Sequence, residues 1–224
     1  MCGRFAVVIP KKYQPYIADV DLSFLADTPQ YNVAPGQSIT TIVKPPQDTK
    51  AKATKMKWEF KPLFAKDFSH ELINVRAETV DSKPLFKYSF LNNRCLIPAS
   101  GYYEWKKEGT KKIPYYFHLT TQPVFAFAGI YTWLGEEKSL DHAGVAILTC
   151  QANPVASKIH DRMPVILEHD YMDTWLDSKT DQVLLKKILT SYAGENFHYY
   201  EVSLAVNSAR SQEEELIRPL ETLI

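Results

Sequence analysis

The chain has few cysteines, and their spacing forms no familiar motif. Cys2, Cys95 and Cys150 are an odd, scattered set without a Cys-x-x-Cys pair. Such usage is typical of a reducing compartment and not of a disulfide-stapled secreted domain. The six histidines are scattered as well, so the sequence predicts neither a metal site nor a bound cofactor. Cys95 and Cys150 lie in apolar runs and are predicted to be core thiols.

The sequence also lacks a secretory signal, an apolar run long enough to cross a bilayer, and an excess of charge. Lys and Arg number 26, Asp and Glu number 26, and the formal net charge is zero. These absences predict a cytoplasmic protein that does not bind membranes. A polyanionic partner would have to be met by a local basic face, since the whole molecule supplies no attracting field.

The pattern of apolar segments predicts one α+β domain over residues 1–224, built on a mainly antiparallel, barrel-like sheet with a few peripheral helices. We expect a monomer. The predicted strands are Phe5 to Pro10, Ile39 to Val43, Arg94 to Ala99, Ile113 to Leu119, Val124 to Trp133, Ala143 to Thr149 and His198 to Leu204. The predicted helices are Tyr16 to Leu25, one that begins near Ser82 and Pro84, His169 to Leu176, and Asp181 to Tyr192 with Thr180 as its cap.

The N-terminus carries the most distinctive chemistry in the chain. Removal of Met1 would leave Cys2 with a free α-amine and a thiol on adjacent carbons. Their ordinary pKa values are about 8 and about 8.5, so neighbouring groups can enlarge the reactive fraction of each at neutral pH. The amine can condense with an aldehyde to an imine, and the thiol can close on the imine carbon to a thiazolidine. The alternative is that Cys2 is only the second residue of an ordered strand.

Two further segments hold candidate proton-transfer groups. Glu104 follows Tyr102 and Tyr103 and precedes Trp105 where the chain is predicted to turn out of a strand, and this apolar setting would raise its pKa. The alternative is a surface glutamate beside aromatics. His160 lies next to Asp161 and Arg162, a combination that suits a general acid or base with a phosphate-binding group beside it.

Basic and polar side chains in the first half suggest a nucleic-acid surface. Five lysines fall between Lys44 and Lys57, directly before Trp58, on which a base could stack. The alternative is a solvated hairpin. In the segment Ile73 to Thr79, Asn74, Arg76 and Glu78 alternate with apolar residues, which predicts a strand with one polar face. Asn32 lies in a predicted loop, where site residues are common.

Six blocks of the chain, in order, resemble the SRAP (SOS-response-associated peptidase) family of abasic-site processing proteins. The blocks are Met1 to Arg4, Tyr31 to Pro35, Asn74 to Thr79, Arg94 to Pro98 running into Gly101 to Trp105, Ala128 to Tyr131, and His160 to Pro164. Together they span nearly the whole chain. One departure is Glu59, where the family usually has glycine after the tryptophan at position 58.

The resemblance implies a groove for single-stranded DNA and covalent capture of an abasic site by Cys2. It implies that Glu104 and His160 transfer protons, and that Asn74 holds Cys2 and the opened sugar. Arg4, Arg76 and Arg162 are expected to bind phosphates, with Trp58 and Asn32 as further DNA contacts. The peptidase activity would be the removal of Met1, which an aminopeptidase could perform equally well.

Two other functions remain open on the sequence alone. An N-terminal-nucleophile amide hydrolase would use the Cys2 amine as base for its thiol and would need no DNA. A non-covalent single-strand-binding module would use the lysines and Trp58 and would bind damaged and undamaged strands alike.

Overall fold

The computed structural model describes residues 2–62, 72–134, 139–190 and 192–220. Within them the chain forms fifteen strands and three α-helices, so the molecule is sheet-dominated, as predicted. The strands are β1 Arg4–Val7, β2 Tyr16–Ile17, β3 Val20–Asp21, β4 Gln30–Val33, β5 Ser38–Val43, β6 Lys52–Lys57, β7 Asn74–Arg76, β8 Arg94–Ala99, β9 Gly101–Glu108, β10 Lys111–Leu119, β11 Phe125–Trp133, β12 Ala143–Gln151, β13 Arg162–Pro164, β14 Ile166–Leu167 and β15 Phe197–Glu201. The helices are α1 Pro84–Asn92, α2 His169–Leu176 and α3 Gln182–Ile188.

The first sheet has five antiparallel strands in the order β15, β10, β9, β1, β4. Its centre is β9, which lies between β10 and the N-terminal strand β1. Arg4 of β1 is opposite Tyr103 of β9, and Phe5 is opposite Tyr102. This register brings the start of the chain beside the Tyr-Tyr-Glu segment, although the two are about a hundred residues apart in sequence.

The second sheet partly closes on itself. A ring of pairings runs from β12 through β6, β5, β8 and β11 and back to β12. The pairs in the ring are antiparallel except for β12 with β6. Strands β7 and β13 flank β12 near its C-terminal end, and eight of the nine residues of β12 are buried. The fold class predicted from the sequence, α+β with a mainly antiparallel, barrel-like sheet, is therefore confirmed.

The chain passes between the sheets at Ser100. Its hydroxyl donates to the carbonyl of Val8 over 2.8 Å, and its backbone N–H donates to Ala6. Gly101 follows, and a Cβ at this position would collide with the ring of Tyr116. The sequence predicted a turn over Ser100 to Trp105. The chain bends at Ser100, but from Gly101 onward the prediction is wrong, because the absence of a Cβ lets β9 begin directly against β10.

Two expectations for helices are corrected. Tyr16 to Leu25 is not a helix: β2 and β3 form a small hairpin that turns at Ala18 and Asp19, whose φ angles are 48° and 60°, and a 3₁₀ turn follows. Helix α3 is shorter than predicted, and its cap is Asp181, whose carboxylate accepts from the N–H of Val183 over 2.8 Å. Helix α1 begins with Pro84, which suits the first helical position.

The core has two parts separated by the first sheet. The main cluster contains Cys2, Phe5 and Tyr102 together with both faces of the second sheet. The smaller cluster contains Tyr103 and is covered by the C-terminal arm, which we define as residues 203–220. None of the helices in the described ranges is long and apolar enough to cross a membrane.

Candidate active site

Cys2 lies directly before β1 and is completely buried. Its carbonyl accepts a hydrogen bond of 2.7 Å from Nδ2 of Asn74. The strand that follows is fixed by Phe5, whose ring packs edge to face against Trp58 and Phe127 at centroid distances of 5.1 and 5.9 Å. Cys2 is therefore held in place by an anchored strand. Met1 lies outside the described residues.

The surroundings of the Cys2 thiol keep it protonated. Burial raises the pKa of this thiol above its ordinary value, and the negative charge of Glu104 raises it further. The thiol points to the carbonyl oxygen of Arg4, with Sγ and O 3.8 Å apart. Because the thiolate is the nucleophilic form, the sulfur needs a base to accept its proton before it can attack.

Strand β9 carries Glu104 into the interior. Successive side chains of a strand point to opposite faces, so Glu104 shares a face with Tyr102, which belongs to the main core together with Cys2. Glu104 is only 4% exposed. The alternative of a surface glutamate is therefore wrong, because the aromatic neighbours lie in a buried sheet.

Glu104 faces His160 across the site. The distance from Glu104 Oε1 to His160 Nε2 is 3.6 Å, slightly longer than a hydrogen bond. Contacts between catalytic groups are often this long in the free protein and tighten when substrate binds. The two residues come from different sheets, Glu104 from β9 and His160 from the loop before β13.

The second ring nitrogen of His160 sets the position of its proton. The backbone N–H of Arg162 donates to Nδ1 over 3.0 Å, so the neutral ring carries its hydrogen on Nε2, toward Glu104. Asp161 Oδ1 also lies 2.9 Å from Nδ1 and can accept a proton from it when the ring is charged. Both protonation states of His160 thus have a partner, which suits a group that passes protons.

Asn153 shapes the loop that carries His160. Its buried side chain accepts from the N–H groups of Val155 and Ala156 over 3.1 and 2.8 Å, and donates to the carbonyl of Tyr192 over 2.6 Å. The N–H of His160 then donates to Ala156 over 3.0 Å. These bonds fix the short 3₁₀ turn before His160.

Asn74 reaches Cys2 because β7 runs parallel to β12, with Asn74 opposite Ile147. Its Nδ2 holds the Cys2 carbonyl, while its Oδ1 is buried and has no hydrogen-bond donor among the described residues. The structure thus brings together Cys2, Asn74, Glu104 and His160, which we call the reacting cluster.

Arg162 donates its hydrogen bonds to other residues of the protein. Its Nη1 and Nη2 donate to the two carboxylate oxygens of Glu78 over 2.6 and 2.9 Å. Nη2 also donates to the carbonyl and the hydroxyl of Thr149 over 2.5 and 3.2 Å. The hydrogen bonds from Arg162 hold the pKa of Glu78 below its usual value. In this conformation Arg162 cannot give two parallel hydrogen bonds to a phosphate.

Arg4 also donates its hydrogen bonds to other residues of the protein. Nη1 donates to Asn32 Oδ1 over 3.0 Å and to the carbonyl of Val206 over 2.9 Å, and Nη2 lies 3.4 Å from the carbonyl of Asn207. Arg4 therefore ties β1 to the C-terminal arm.

Arg76 is different from the other two arginines. It follows Asn74 by two residues on β7, so both side chains lie on the same face of the strand. It is exposed, and it makes no hydrogen bond or ion pair with the residues that the structure describes. We call Arg4, Arg76 and Arg162 the arginine rim; within it, Arg76 is the guanidinium that a phosphate can reach directly.

Trp58 and Asn32, expected to contact DNA, have no exposed surface. The Trp58 ring packs in the core and its Nε1–H donates to the carbonyl of Ile73 over 2.9 Å. The amide of Asn32 donates to three carbonyls of the C-terminal arm, those of Val206, Ser208 and Ser211. A buried ring offers no face for a base, so the stacking role of Trp58 is corrected to a packing role, and Asn32 holds the arm.

Two residues near the site were given no role from the sequence. The sequence placed Glu78 on one polar face with Asn74 and Arg76. Its pairing with Arg162 could not be predicted, because it depends on β7 and β13 lying on either side of β12. Asn153 precedes Pro154 at the end of a strand, a pattern typical of side-chain-capped turns, and this signal could have identified it.

The described residues contain no group of three or more His, Cys, Asp or Glu side chains arranged to hold a metal ion. The side chains of the reacting cluster supply a thiol, an amide, a carboxylate and an imidazole, to which removal of Met1 would add the α-amine of Cys2. Such a set can form and break bonds to an electrophilic carbon with proton transfer.

The chain is similar to known proteins over most of its length. The family model for SRAP, the SOS response associated peptidase family, matches residues 1–209. The abasic site processing protein YoaM of Bacillus subtilis is 37% identical over 230 residues, covering 97% of each chain. The abasic site processing protein YedK of Escherichia coli is 30% identical over 230 residues, covering 98% of this chain and 100% of its own.

The chain belongs to the SRAP family. Its fold also matches the crystal structure of a protein from Bacteroides thetaiotaomicron, with a TM-score of 0.78 at 23% identity, over 97% of this chain and 99% of that one. The family match and the structural match both extend over most of the chain, so the resemblance first seen in six separate blocks holds for one continuous SRAP fold.

The clearest departure of this SRAP chain from the family pattern is Glu59. Its buried carboxylate forms ion pairs with Lys57 and Lys61. Burial acts to raise the pKa of Glu59, but the hydrogen bonds from the two lysines outweigh it, and the pKa lies below its ordinary value. Glu59 therefore offsets one of the two positive charges of Lys57 and Lys61 and, being buried, presents no negative charge at the surface.

Proposed function

We propose that this protein processes abasic sites in single-stranded DNA by forming a covalent thiazolidine through Cys2. The observation that carries the proposal is the reacting cluster: a buried, anchored Cys2 beside a carboxylate and an imidazole that face each other. An abasic deoxyribose opens to an aldehyde, which is the electrophile that an adjacent amine and thiol capture together. The names of the relatives, abasic site processing proteins, support the same substrate.

The first step requires a free Cys2 amine, so the Met1–Cys2 peptide bond must be broken. The chain itself or an aminopeptidase performs this hydrolysis. The amine then attacks the aldehyde carbon C1′ of the opened sugar, and the resulting carbinolamine loses its hydroxyl as water to give an imine. Glu104 supplies a proton to the departing hydroxyl, and the proton that the carbinolamine nitrogen loses returns to Glu104 with His160 as the relay.

Closure of the ring follows imine formation. Sγ of Cys2 bonds to the imine carbon, the carbon–nitrogen double bond becomes single, and the thiol proton is transferred to the nitrogen with Glu104 as the relay. The raised pKa of the Cys2 thiol supports imine formation before ring closure. A protonated sulfur is a poor nucleophile, so the amine reacts first. The net change is protein plus DNA less one water.

Within the arginine rim, Arg76 holds the strand beside the reacting cluster. Arg76 offers a free guanidinium next to Asn74, where a phosphate adjoining the lesion can accept hydrogen bonds. The protein acts as a monomer in the cytoplasm, where its cysteines remain thiols, as all three are in this structure.

The test is adduct formation with an oligonucleotide that carries one abasic site. The wild type is expected to give an adduct that survives heating in denaturant, and Cys2→Ala is expected to give none. Cys2→Ser keeps the amine and is expected to give an imine that borohydride traps but that does not survive without reduction. A heat-stable adduct with Cys2→Ala would contradict the thiazolidine mechanism.

A further inference from the structure

Glu78 and Arg162 form a bridge over the end of β12. Arg162 begins β13 on one side of that strand, and Glu78 follows β7 on the other side. The two parallel hydrogen bonds between them, 2.6 and 2.9 Å long, have the fork geometry that guanidinium groups also use for phosphate. The Glu78 side chain is 47% exposed, whereas that of Arg162 is 14% exposed.

The backbone beneath Glu78 is fixed independently of this ion pair. Nζ of Lys186, on α3, donates to the carbonyls of Ala77 and Glu78 over 2.8 and 2.9 Å and to Asp81 Oδ1 over 2.9 Å. The Glu78 carboxylate also accepts from the backbone N–H groups of Gln151 and of Glu78 itself. When the side chain leaves Arg162 it gives up these contacts too, while the turn that carries it stays in place.

Three of the five N–H groups of the Arg162 guanidinium already have acceptors. Of its five N–H groups, one on Nη1 and one on Nη2 are used by Glu78, and Nη2 also serves Thr149. Its Nε is buried and has no acceptor among the described residues. A strand phosphate can gain a two-point contact here only by taking the place of the Glu78 carboxylate.

We infer that Glu78 is a specificity-determining residue that occupies the phosphate position at Arg162 until a DNA strand displaces it. This inference rests on the proposed function, since it takes the ligand to be single-stranded DNA at the reacting cluster. While Glu78 is hydrogen-bonded to Arg162, the pair carries no net charge. The protein then presents one fewer positive charge to an approaching DNA strand. Because the Glu78 side chain is 47% exposed, its carboxylate regains contacts with water when it leaves, so a phosphate can replace it.

The consequence is discrimination against undamaged strands. A strand without an aldehyde gains only non-covalent contacts, and the exchange at Arg162 weakens these. A strand with an abasic site is retained by the bond to Cys2, so the weaker initial binding costs it little. Glu78 thus limits how long the protein stays on intact single-stranded DNA.

The test measures non-covalent binding of an undamaged single-stranded oligonucleotide by fluorescence anisotropy, with Cys2→Ala as the background for every protein. Glu78→Gln removes the charge and keeps the shape, and we expect about fivefold tighter binding at low salt. The slope of log K against log salt should steepen by about 0.7, the value for one additional phosphate contact on a single strand. Glu78→Ala is expected to give the same gain.

The matched control is Glu214→Gln. Glu214 also pairs with an arginine, Arg218, at 2.8 Å and is 55% exposed, but it lies in the C-terminal arm, on the opposite face of the first sheet from Glu104. The Glu214→Gln substitution makes the same change in net charge as Glu78→Gln and should alter the affinity for single-stranded DNA less than twofold. Adding Arg162→Gln to Glu78→Gln should abolish the gain.

Equal or weaker binding by the Glu78 variants, or the same gain with Glu214→Gln, would overturn the inference. The crosslinking test on proteins with Cys2 intact reports separately on the proposed function. A gain in affinity without any adduct would leave Glu78 as a gate for strand binding and would remove the thiazolidine chemistry.

Discussion

The reacting cluster and the arginine rim are prepared to different degrees, and Arg4 of the rim points to the C-terminal arm on the other face of the first sheet. In the reacting cluster, Asn74 already holds the Cys2 backbone, and Glu104 and His160 already face each other at 3.6 Å. In the arginine rim, Arg4 and Arg162 are bound to protein acceptors, and only Arg76 is without such a partner in the described part of the chain. The chemistry is preorganised, whereas most of the strand-binding surface is not.

This difference indicates where selectivity arises. Preorganised groups accelerate a reaction because they need no rearrangement when the substrate arrives. Of the three rim cations, Arg162 is neutralised by the Glu78 carboxylate, whereas Arg4 is held by neutral carbonyl and amide oxygens. On the proposed function, the protein would select its substrate by the reactivity of the aldehyde more than by affinity for DNA, in keeping with a net charge of zero.

The strongest way to break the reacting cluster without touching Cys2 is Glu104→Gln. The amide keeps the shape but cannot take up or release the proton, so we expect adduct formation to slow about 100-fold. Glu108→Gln, on the same strand but exposed, is the matched control and should leave the rate unchanged. Equal rates for the two variants would remove Glu104 from the mechanism.

The protonated state of Cys2 can be tested by alkylation with iodoacetamide. Because the pKa of the thiol is raised, the thiolate fraction is small at neutral pH and increases about tenfold for each pH unit. We expect the rate at Cys2 to rise throughout pH 6 to 9 without a plateau, measured by peptide mass spectrometry. A plateau near the ordinary thiol pKa of about 8.5 would show that burial does not control this thiol.

The contrast within the arginine rim predicts unequal effects on non-covalent binding. Arg76→Gln should weaken binding of single-stranded DNA several-fold and reduce the salt slope by about 0.7. Arg4→Gln should instead lower the free energy of unfolding by about 1–3 kcal/mol, because it leaves the buried acceptors of the C-terminal arm unpaired. Anisotropy and denaturant titration distinguish the two, and the reverse pattern would refute this division of roles.

The smallest effect on DNA binding is expected for Trp58→Phe. A buried packing residue should change affinity less than twofold, while the lost hydrogen bond to Ile73 should lower the free energy of unfolding by about 1–3 kcal/mol. A large loss of affinity without loss of stability would restore the stacking role that the sequence suggested.

The sequence was informative where the candidate site residues fall in short local motifs. Cys2, Asn74, Glu104 and His160 each belong to a local motif, and the structure brings all four together. Strands such as β8, β10 and β11 were also recognisable, because their apolar runs are long and bounded by turns. The fold class followed from these strands.

The sequence was misleading where burial depends on distant partners. Trp58 looks like a platform beside five lysines, but Phe5 and Ile73, which enclose it, are remote in the chain. The ion pair between Arg162 and Glu78 likewise forms only because β7 and β13 lie on either side of β12, which the sequence does not reveal. The predicted helix at Tyr16 to Leu25 failed because a turn at Ala18 and Asp19 in positive φ has no strong signal in these residue types.

The most direct test of the central claim is intact-protein mass spectrometry before and after incubation with a single-stranded oligonucleotide that carries one abasic site. The thiazolidine mechanism predicts a protein that lacks Met1 and an adduct whose mass equals that protein plus the oligonucleotide less one water. A protein that retains Met1 and forms no adduct would contradict it, because the amine of Cys2 would then be absent from the chemistry.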